Sequence, residues 1–198
     1  MTIRVHKTMM MLARWHMVTP REDRFSYGIN ADNSVNVHGN IDVYNASTMI
    51  TNGVEFDVVT GDVRWYQPTK SSASTTHGIP RTVGGSCGVF HREVDHLPDW
   101  VCGNLVLASV SHLHDFHKKF PKLIVNQQLV LGPTIASHTL SLLLIPGIGR
   151  VKMEYIAGNA SHVGKMLSII NKHLAGERDV IACQDELIDS GLHAYAQL

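Results

Sequence analysis

The chain has 198 residues, of which 44% are hydrophobic and 17% are charged, and its 17 Lys and Arg balance 17 Asp and Glu. A formal net charge of zero argues against a nucleic-acid partner, because duplex binders usually carry a basic excess. No apolar run approaches the roughly 18 residues of a spanning helix, no signal peptide is evident and three cysteines are irregularly spaced, so we expect a soluble cytoplasmic protein without membrane association.

The first 33 residues are predicted to form an N-terminal cap and a connection. Residues 1 to about 20 carry apolar bulk at Ile3, at 9–12 and at Trp15, with Pro20 directly after them, which favours a short helix. Residues 21–33 are polar and are predicted to connect this cap to the next segment. Residues 1–33, 34–158 and 159–198 are therefore expected to be cap and connection, repeats, and C-terminal cap of one continuous domain.

A short phrase recurs between residues 34 and 158. Its copies are VHGNIDV at 37–43, TGDVRW at 60–65, VGGSCGV at 83–89 and VCGNLVL at 101–107, with weaker copies VNQQLVL at 125–131 and GIGRVKM at 147–153. The glycine-equivalent positions 39, 61, 85, 103, 127 and 149 are separated by 22, 24, 18, 24 and 22 residues. A nearly constant period in this range is typical of a solenoid.

Within each copy the apolar residues two and four positions after the glycine share one strand face, and the residues between them point outwards. Apolar residues also precede three prolines, which predicts a second core layer at Ile79, Leu97 and Phe120. The small polar residues 68–76 are predicted to form a protruding loop. We therefore expect about six short parallel strands along one side of an α/β solenoid.

After residue 160 the apolar period changes from two to 3.6. Val163, Met166, Ile170 and Leu174 fall on one helical stripe that begins near Ser161. Asp179 is placed to cap a second helix, which ends at Gly191. These helices are expected to cover the last repeat, because a terminal repeat would otherwise expose its apolar layer.

Three stretches of the chain resemble degenerate leucine-rich-repeat-like proteins encoded by tailed bacteriophages. They are YGINADNSVNVHGNI at 27–41, GIPRTVGGS at 78–86, and the tail formed by IINKHL at 169–174 and DVIACQDELIDSGL at 179–192. The resemblance covers about residues 27–198, although the regular Asn-x-Leu rung of that family is nearly absent. It implies a leucine-rich-repeat-like fold and a phage origin, and it supplies no catalytic residues.

The outward strand positions are the candidate binding surface. They mix both charges with an apolar centre, which suits a protein partner better than nucleic acid. We expect a non-enzymatic accessory protein, without a cofactor, that binds a host protein in the host cytoplasm, for example to block an antiviral defence. A self-assembling or virion component, and hence a homo-oligomer, is the alternative. The surface residues are Asn40, Asp42, Asp62, Arg64, Asn104, Val106, Val130, Arg150 and Lys152.

Two motifs suggest chemistry instead of binding. The Gly-x-Cys-Gly phrase around Cys87 resembles the nucleophile turn of chymotrypsin-like viral cysteine proteases, which would require a histidine base such as His38 and an acid such as Asp57 or Asp62. However, the repeat register places Cys87 at an inward position. His112, His114 and His117 provide enough ligands for a zinc site, but their spacing fits no regular face and predicts solvated turn residues.

Overall fold

The computed structural model describes residues 25–42, 55–66, 78–90, 94–110, 113–132, 138–154 and 160–198, together with Met10 and Leu12. Its strands are β1 (Ser26–Ile29), β2 (Val35–His38), β3 (Ile41–Asp42), β4 (Phe56–Val59), β5 (Val63–Tyr66), β6 (Thr82–Val83), β7 (Cys87–Phe90), β8 (Trp100–Val101), β9 (Leu105–Leu107), β10 (Ile124–Val125), β11 (Leu129–Leu131), β12 (Gly147–Ile148) and β13 (Val151–Met153). Its helices are α1 (Phe116–Lys119), α2 (Ala160–Ala175) and α3 (Val180–Asp189), with 3-10 helices at Thr139–Leu144 and His193–Tyr195.

The strands form two sheets, parallel except for the pairing of β1 with β2, that together make a solenoid with helices at its C-terminal end. Sheet 1 has the order β1-β2-β4-β6-β8-β10-β12, and sheet 2 has the order β13-β11-β9-β7-β5-β3. Each pair from β2/β3 to β12/β13 is one rung, in which the recurring phrase turns the chain from sheet 1 into sheet 2. The α/β solenoid with a leucine-rich-repeat-like fold that the sequence predicts is therefore confirmed.

The sequence predicted only one of the two sheets. Sheet 2 contains the expected strands, whereas sheet 1 is built largely from the two residues before each corner. The apolar residue at that place is buried in every rung, and its ladder is Val37, Val59, Val83, Val101, Val125 and Ile148. Two further buried ladders line sheet 2, so the core is a sandwich between the sheets.

The glycine in the phrase is needed because successive rungs approach closely at the corner. A Cβ added at Gly85 would lie 2.8 Å from the carbonyl carbon of Gly61, and one at Gly61 would lie 2.6 Å from the carbonyl oxygen of Gly39. Among the corner glycines only Gly39 has a positive φ, of 126°. Space, and not an unusual backbone conformation, therefore explains the glycine at Gly61 and Gly85.

The residue after the corner glycine forms a hydrogen-bond ladder along the solenoid. The amide N–H of Asp62 donates to Asn40 Oδ1 at 2.8 Å, and that of Ser86 donates to Asp62 Oδ1 at 2.7 Å. The amide N–H of Asn104 then donates to Ser86 Oγ at 3.1 Å. These side chains therefore join one rung to the next.

The ladder ends at the fifth rung, where Gln127 replaces the glycine. In the second, third and fourth rungs, the N–H of the corner glycine donates to the carbonyl oxygen of the preceding corner glycine at 2.8–3.1 Å. The distance from the Gln127 nitrogen to Gly103 O is longer, at 3.4 Å. Asn104 Oδ1 is buried there and accepts no hydrogen bond within the described part of the chain. The bulk of a Cβ at residue 127 explains the wider corner.

The N-terminal end contains a strand that the sequence did not predict. β1 pairs antiparallel with β2 inside the segment that was expected to be a connection. Leu12 is buried, and it is helical like Met10. The rest of the predicted N-terminal helix and the predicted loop at 68–76 lie outside the described residues.

The C-terminal end has the predicted helical cap. The stripe of α2 at Val163, Met166, Ile170 and Leu174 is buried. The Asp179 carboxylate accepts the N–H groups of Ile181 at 2.9 Å and Ala182 at 3.0 Å, which confirms the expected helix cap. The second core layer is also present, since Ile79 and Phe120 are buried and Leu97 packs against the core.

Candidate binding face

The outward side chains of sheet 2 form one continuous row across all six rungs. Backbone register places each member directly opposite the next, and parallel strands separate neighbours by about 4.8 Å. The row is therefore about 24 Å long. In order its residues are Asp42, Arg64, Gly88, Val106, Val130 and Lys152.

Two aromatic residues that the sequence analysis missed lie beside this row. Tyr66 and Phe90 are opposite each other in β5 and β7, and each is half-buried on the outward side. Their rings stack with centroids 4.3 Å apart and planes 6° apart. Both stand five positions after a corner glycine, Gly61 or Gly85, and this shared offset is the signal that could have found them.

The absence of a side chain at Gly88 leaves room for the Phe90 ring on the outer surface of sheet 2. A Cβ at residue 88 would lie 2.8 Å from Phe90 Cε2, and Gly88 is buried although it occupies an outward strand position. The Phe90 ring therefore leans back over Gly88 while it stacks on Tyr66. Together with the half-buried Val106 and Val130, these rings make the centre of the face apolar. We call Tyr66, Phe90, Val106 and Val130 the apolar centre.

Charged side chains flank the apolar centre at both ends. Asp42 and Arg64 approach to 4.0 Å at the N-terminal end, with their side chains 53% and 66% exposed. Arg150 and Lys152 are exposed at the C-terminal end. An exposed ion pair adds little to stability, so Asp42 and Arg64 are accessible to a partner at small cost. The face thus has an apolar middle and a last rung in which two cations, Arg150 and Lys152, outnumber the exposed Glu154.

The remaining predicted surface residues have a structural role. Asn40 and Asp62 accept hydrogen bonds from the next rung through the corner ladder. Asn104 lies at the end of that ladder with its Oδ1 buried. These three side chains were expected to form part of the binding surface. Asn40 and Asp62 are exposed while each accepts a hydrogen bond from the next rung, so a role in the ladder does not remove them from the surface.

Cys87 is placed in the core ladder between Val63 and Leu105 and has no exposed surface. Burial raises the pKa of its thiol well above the usual value, so the thiolate that a nucleophile requires is disfavoured. His38, the proposed base, is exposed on the outward side of sheet 1. The arrangement does not bring these two side chains together as a cysteine protease would require.

The histidine motif is only partly described, because His112 lies outside the described residues. His114 Nε2 is 3.1 Å from a carboxylate oxygen of Asp115, and its ring lies 5.2 Å from that of His138 in an edge contact. His117 Nδ1 is buried without a hydrogen-bond partner in the described part of the chain. Across the described ranges no three His, Cys, Asp or Glu side chains come together as a metal site.

Two other surface features differ from the binding face. The outward row of sheet 1 contains the half-buried Trp100 and Ile124, which is 44% exposed. A cleft of about 340 Å³ lies between the segments 95–99 and 119–123, with Leu97, Phe120 and Leu123 among its lining residues. The stacked pair of aromatic rings between charged ends is described only for sheet 2, so the outer face of sheet 2 is the stronger candidate for a binding surface.

In the described part of the chain, every helix is too short or too polar to cross a bilayer. Comparisons with protein-family models, curated proteins and solved structures give no match to this chain.

Proposed function

We propose that the chain is a non-enzymatic binding protein that holds another protein on the outer face of sheet 2. The observation that carries this proposal is the apolar centre, whose four side chains face outwards in two neighbouring rows, Tyr66 opposite Phe90 and Val106 opposite Val130, between charged ends. Half-buried aromatic and aliphatic groups surrounded by a polar rim are the usual anatomy of a protein-binding hot spot. The stacked rings are already ordered by each other, so little side-chain entropy is lost when a partner covers them.

The charge pattern indicates the orientation of the partner. Arg150 and Lys152 favour an acidic group over the last rung, while an apolar side chain would cover the rings and valines in the middle. Such an arrangement gives specificity and speeds association. The resemblance to phage-encoded repeat proteins further suggests an accessory protein that meets its partner, a host protein such as a defence factor, in the host cytoplasm.

Two other functions that the sequence suggested receive less support. Catalysis through Cys87 would require a buried thiol with a raised pKa to reach a substrate. Head-to-tail self-assembly would require an open edge at the C-terminal end, whereas side chains of the helical cap occupy hydrogen-bonding groups there in both sheets. These observations favour the binding function.

Affinity capture from host lysate tests the proposal. The bait variants are Val106→Glu with Val130→Glu on the binding face, and Thr82→Glu with Ile124→Glu on the outward row of sheet 1 as the matched control. All four side chains are at least partly exposed, so both variants should fold and melt like the wild type. We expect a stoichiometric partner with the wild type and the control and its loss with the binding-face variant. Equal recovery by both variants, or no partner with any bait, would contradict the proposal.

A further inference from the structure

The hydrogen bonds along sheet 2 follow one rule through the first five rungs. The N–H of the first inward residue donates to the backbone carbonyl just after the corner in the next rung. The distances are 2.9 Å for Ile41 to Asp62, 2.9 Å for Val63 to Ser86, 2.8 Å for Cys87 to Asn104, 3.1 Å for Leu105 to Gln128 and 2.9 Å for Leu129 to Arg150. Val151 occupies this position in the sixth rung, beside which the described part of the chain forms no further rung.

The side chain of Asn171, on α2, takes the place of the absent rung at Val151. Its Oδ1 accepts the Val151 N–H at 2.7 Å, and its Nδ2 donates to the Val151 carbonyl oxygen at 2.8 Å. A primary amide carries one acceptor and donors in nearly the geometry of a peptide unit. One side chain thus satisfies both backbone groups of this edge residue.

In sheet 1, the side chain of Arg178 likewise takes the place of a rung that would follow the last one. In earlier rungs the carbonyl of the buried ladder residue accepts an N–H from the next rung, as Val37 does from Thr60 at 3.0 Å and Val83 does from Cys102 at 2.9 Å. The corresponding carbonyl of the last rung is that of Ile148, which accepts from Arg178 Nη2 at 2.5 Å. Arg178 Nη1 also donates to Ile145 O at 2.8 Å.

We propose that Asn171 and Arg178 are edge-terminating residues that prevent a second copy of this chain from adding to the C-terminal end of the solenoid. The Val151 N–H matches a group that the next rung satisfies in all five earlier rungs, and the Ile148 carbonyl matches one that the next rung satisfies in the first four. The complementary occupant of an uncovered edge is therefore a rung of a second copy, joined head to tail. An edge left open in this way is a recognised template for strand addition.

Light scattering coupled to size-exclusion chromatography tests this inference on the full chain. The test variant is Asn171→Ala with Arg178→Ala, and the control is Lys165→Ala, which removes a 3.3 Å bond from α2 to Ser190 O away from the sheet edges. We expect a monomer for the wild type and the control, and concentration-dependent assemblies for the double variant. A folded double variant that stays monomeric, or a wild type that assembles through this edge, would overturn the inference.

Amide hydrogen exchange at Val151 gives a second readout. At a dilution where the double variant is monomeric, we expect its Val151 N–H to exchange about tenfold faster or more than that of the control, because both hydrogen bonds between Val151 and Asn171 are lost. When a higher concentration lets a second copy add to this edge, the exchange should slow again. If the double variant does not fold, the single variants Asn171→Ala and Arg178→Ala replace it, since each frees the edge of one sheet. Assembly of either single variant supports the inference, and monomers for both refute it. Neither result depends on the proposed partner of sheet 2.

Discussion

Replacement of Gly85 by alanine tests how the corner of each rung holds the solenoid together. The new Cβ would collide with Asp62 Oδ1 and would lie 2.9 Å from the Asp62 nitrogen, which belongs to the backbone of the preceding rung. A backbone neighbour cannot move away as the tip of a flexible side chain can. The collision must therefore break the ladder bond from Ser86 N–H to Asp62 Oδ1, widen the gap between the rungs, or do both.

The expected loss of stability is the sum of a lost hydrogen bond and the cost of overpacking the corner. A hydrogen bond to a charged acceptor contributes about 1.5–3 kcal/mol. Forcing extra volume into a tightly packed site costs about 1–3 kcal/mol more. We therefore expect Gly85→Ala to lower the free energy of unfolding by about 3–5 kcal/mol, which corresponds to roughly 10–15 °C in melting temperature for a chain of this length.

The control occupies the same position of the phrase in another rung. Gly149 has no positive φ, and a Cβ there would meet no atom within 4 Å, because the last corner is one residue shorter between its two strands. Gly149→Ala should change the free energy of unfolding by less than about 1 kcal/mol, and in the stabilising direction. Urea unfolding of both variants measures the difference. Equal stabilities would refute the explanation of the corner glycines by rung contact.

Three further predictions follow from the described geometry. Gln127→Gly should stabilise the chain by about 1 kcal/mol in urea unfolding, because a closer corner lets Asn104 Oδ1 find a partner; a loss of stability would contradict this. Native alkylation followed by mass spectrometry should modify the half-buried Cys102 and spare Cys87 and Cys183, since burial raises both thiol pKa values, that of Cys183 to about 11; fast labelling of Cys87 would show that its rung opens. Hydrogen bonds from Lys172 and His173 hold the pKa of the Glu186 carboxyl below its usual range, so its contribution is present at neutral pH and is lost as the pH falls through about 4 and below. Glu186→Gln should accordingly be less stable than the wild type at pH 7 but not in acid, and a pH-independent difference would contradict the role of the charge.

The sequence predicted sheet 2 because its inward residues alternate with outward ones over several positions. Sheet 1 left no such signal, since β6, β8, β10 and β12 have two residues each and too few positions to show a period of two. Its buried valine or isoleucine stands only one or two positions before the glycine-equivalent residue, so it is a single apolar position in each rung. The second sheet becomes evident only when the rungs are stacked in register.

Alternation along the strand predicted outward positions for Arg64, Val106 and Lys152, and their side chains are exposed or half-buried in sheet 2. It could not show that Asn40 and Asp62 hydrogen-bond to the next rung, because that contact joins residues 22 to 24 positions apart. The role of Asn171 at the sheet edge could not be predicted either. In the sequence it is one polar residue of a helix, and its hydrogen bonds to Val151 depend on how that helix packs against the last rung.

Photo-crosslinking from the binding face tests the central claim most directly. A benzophenone amino acid is placed at Phe90 in one variant and at Trp100 in the other, because both residues are half-buried aromatics but lie on the outward sides of different sheets. After irradiation in host lysate, we predict a discrete crosslinked partner from position 90 and none from position 100. The same crosslinks from both positions, or from position 100 alone, would show that the outer face of sheet 2 is not the binding surface.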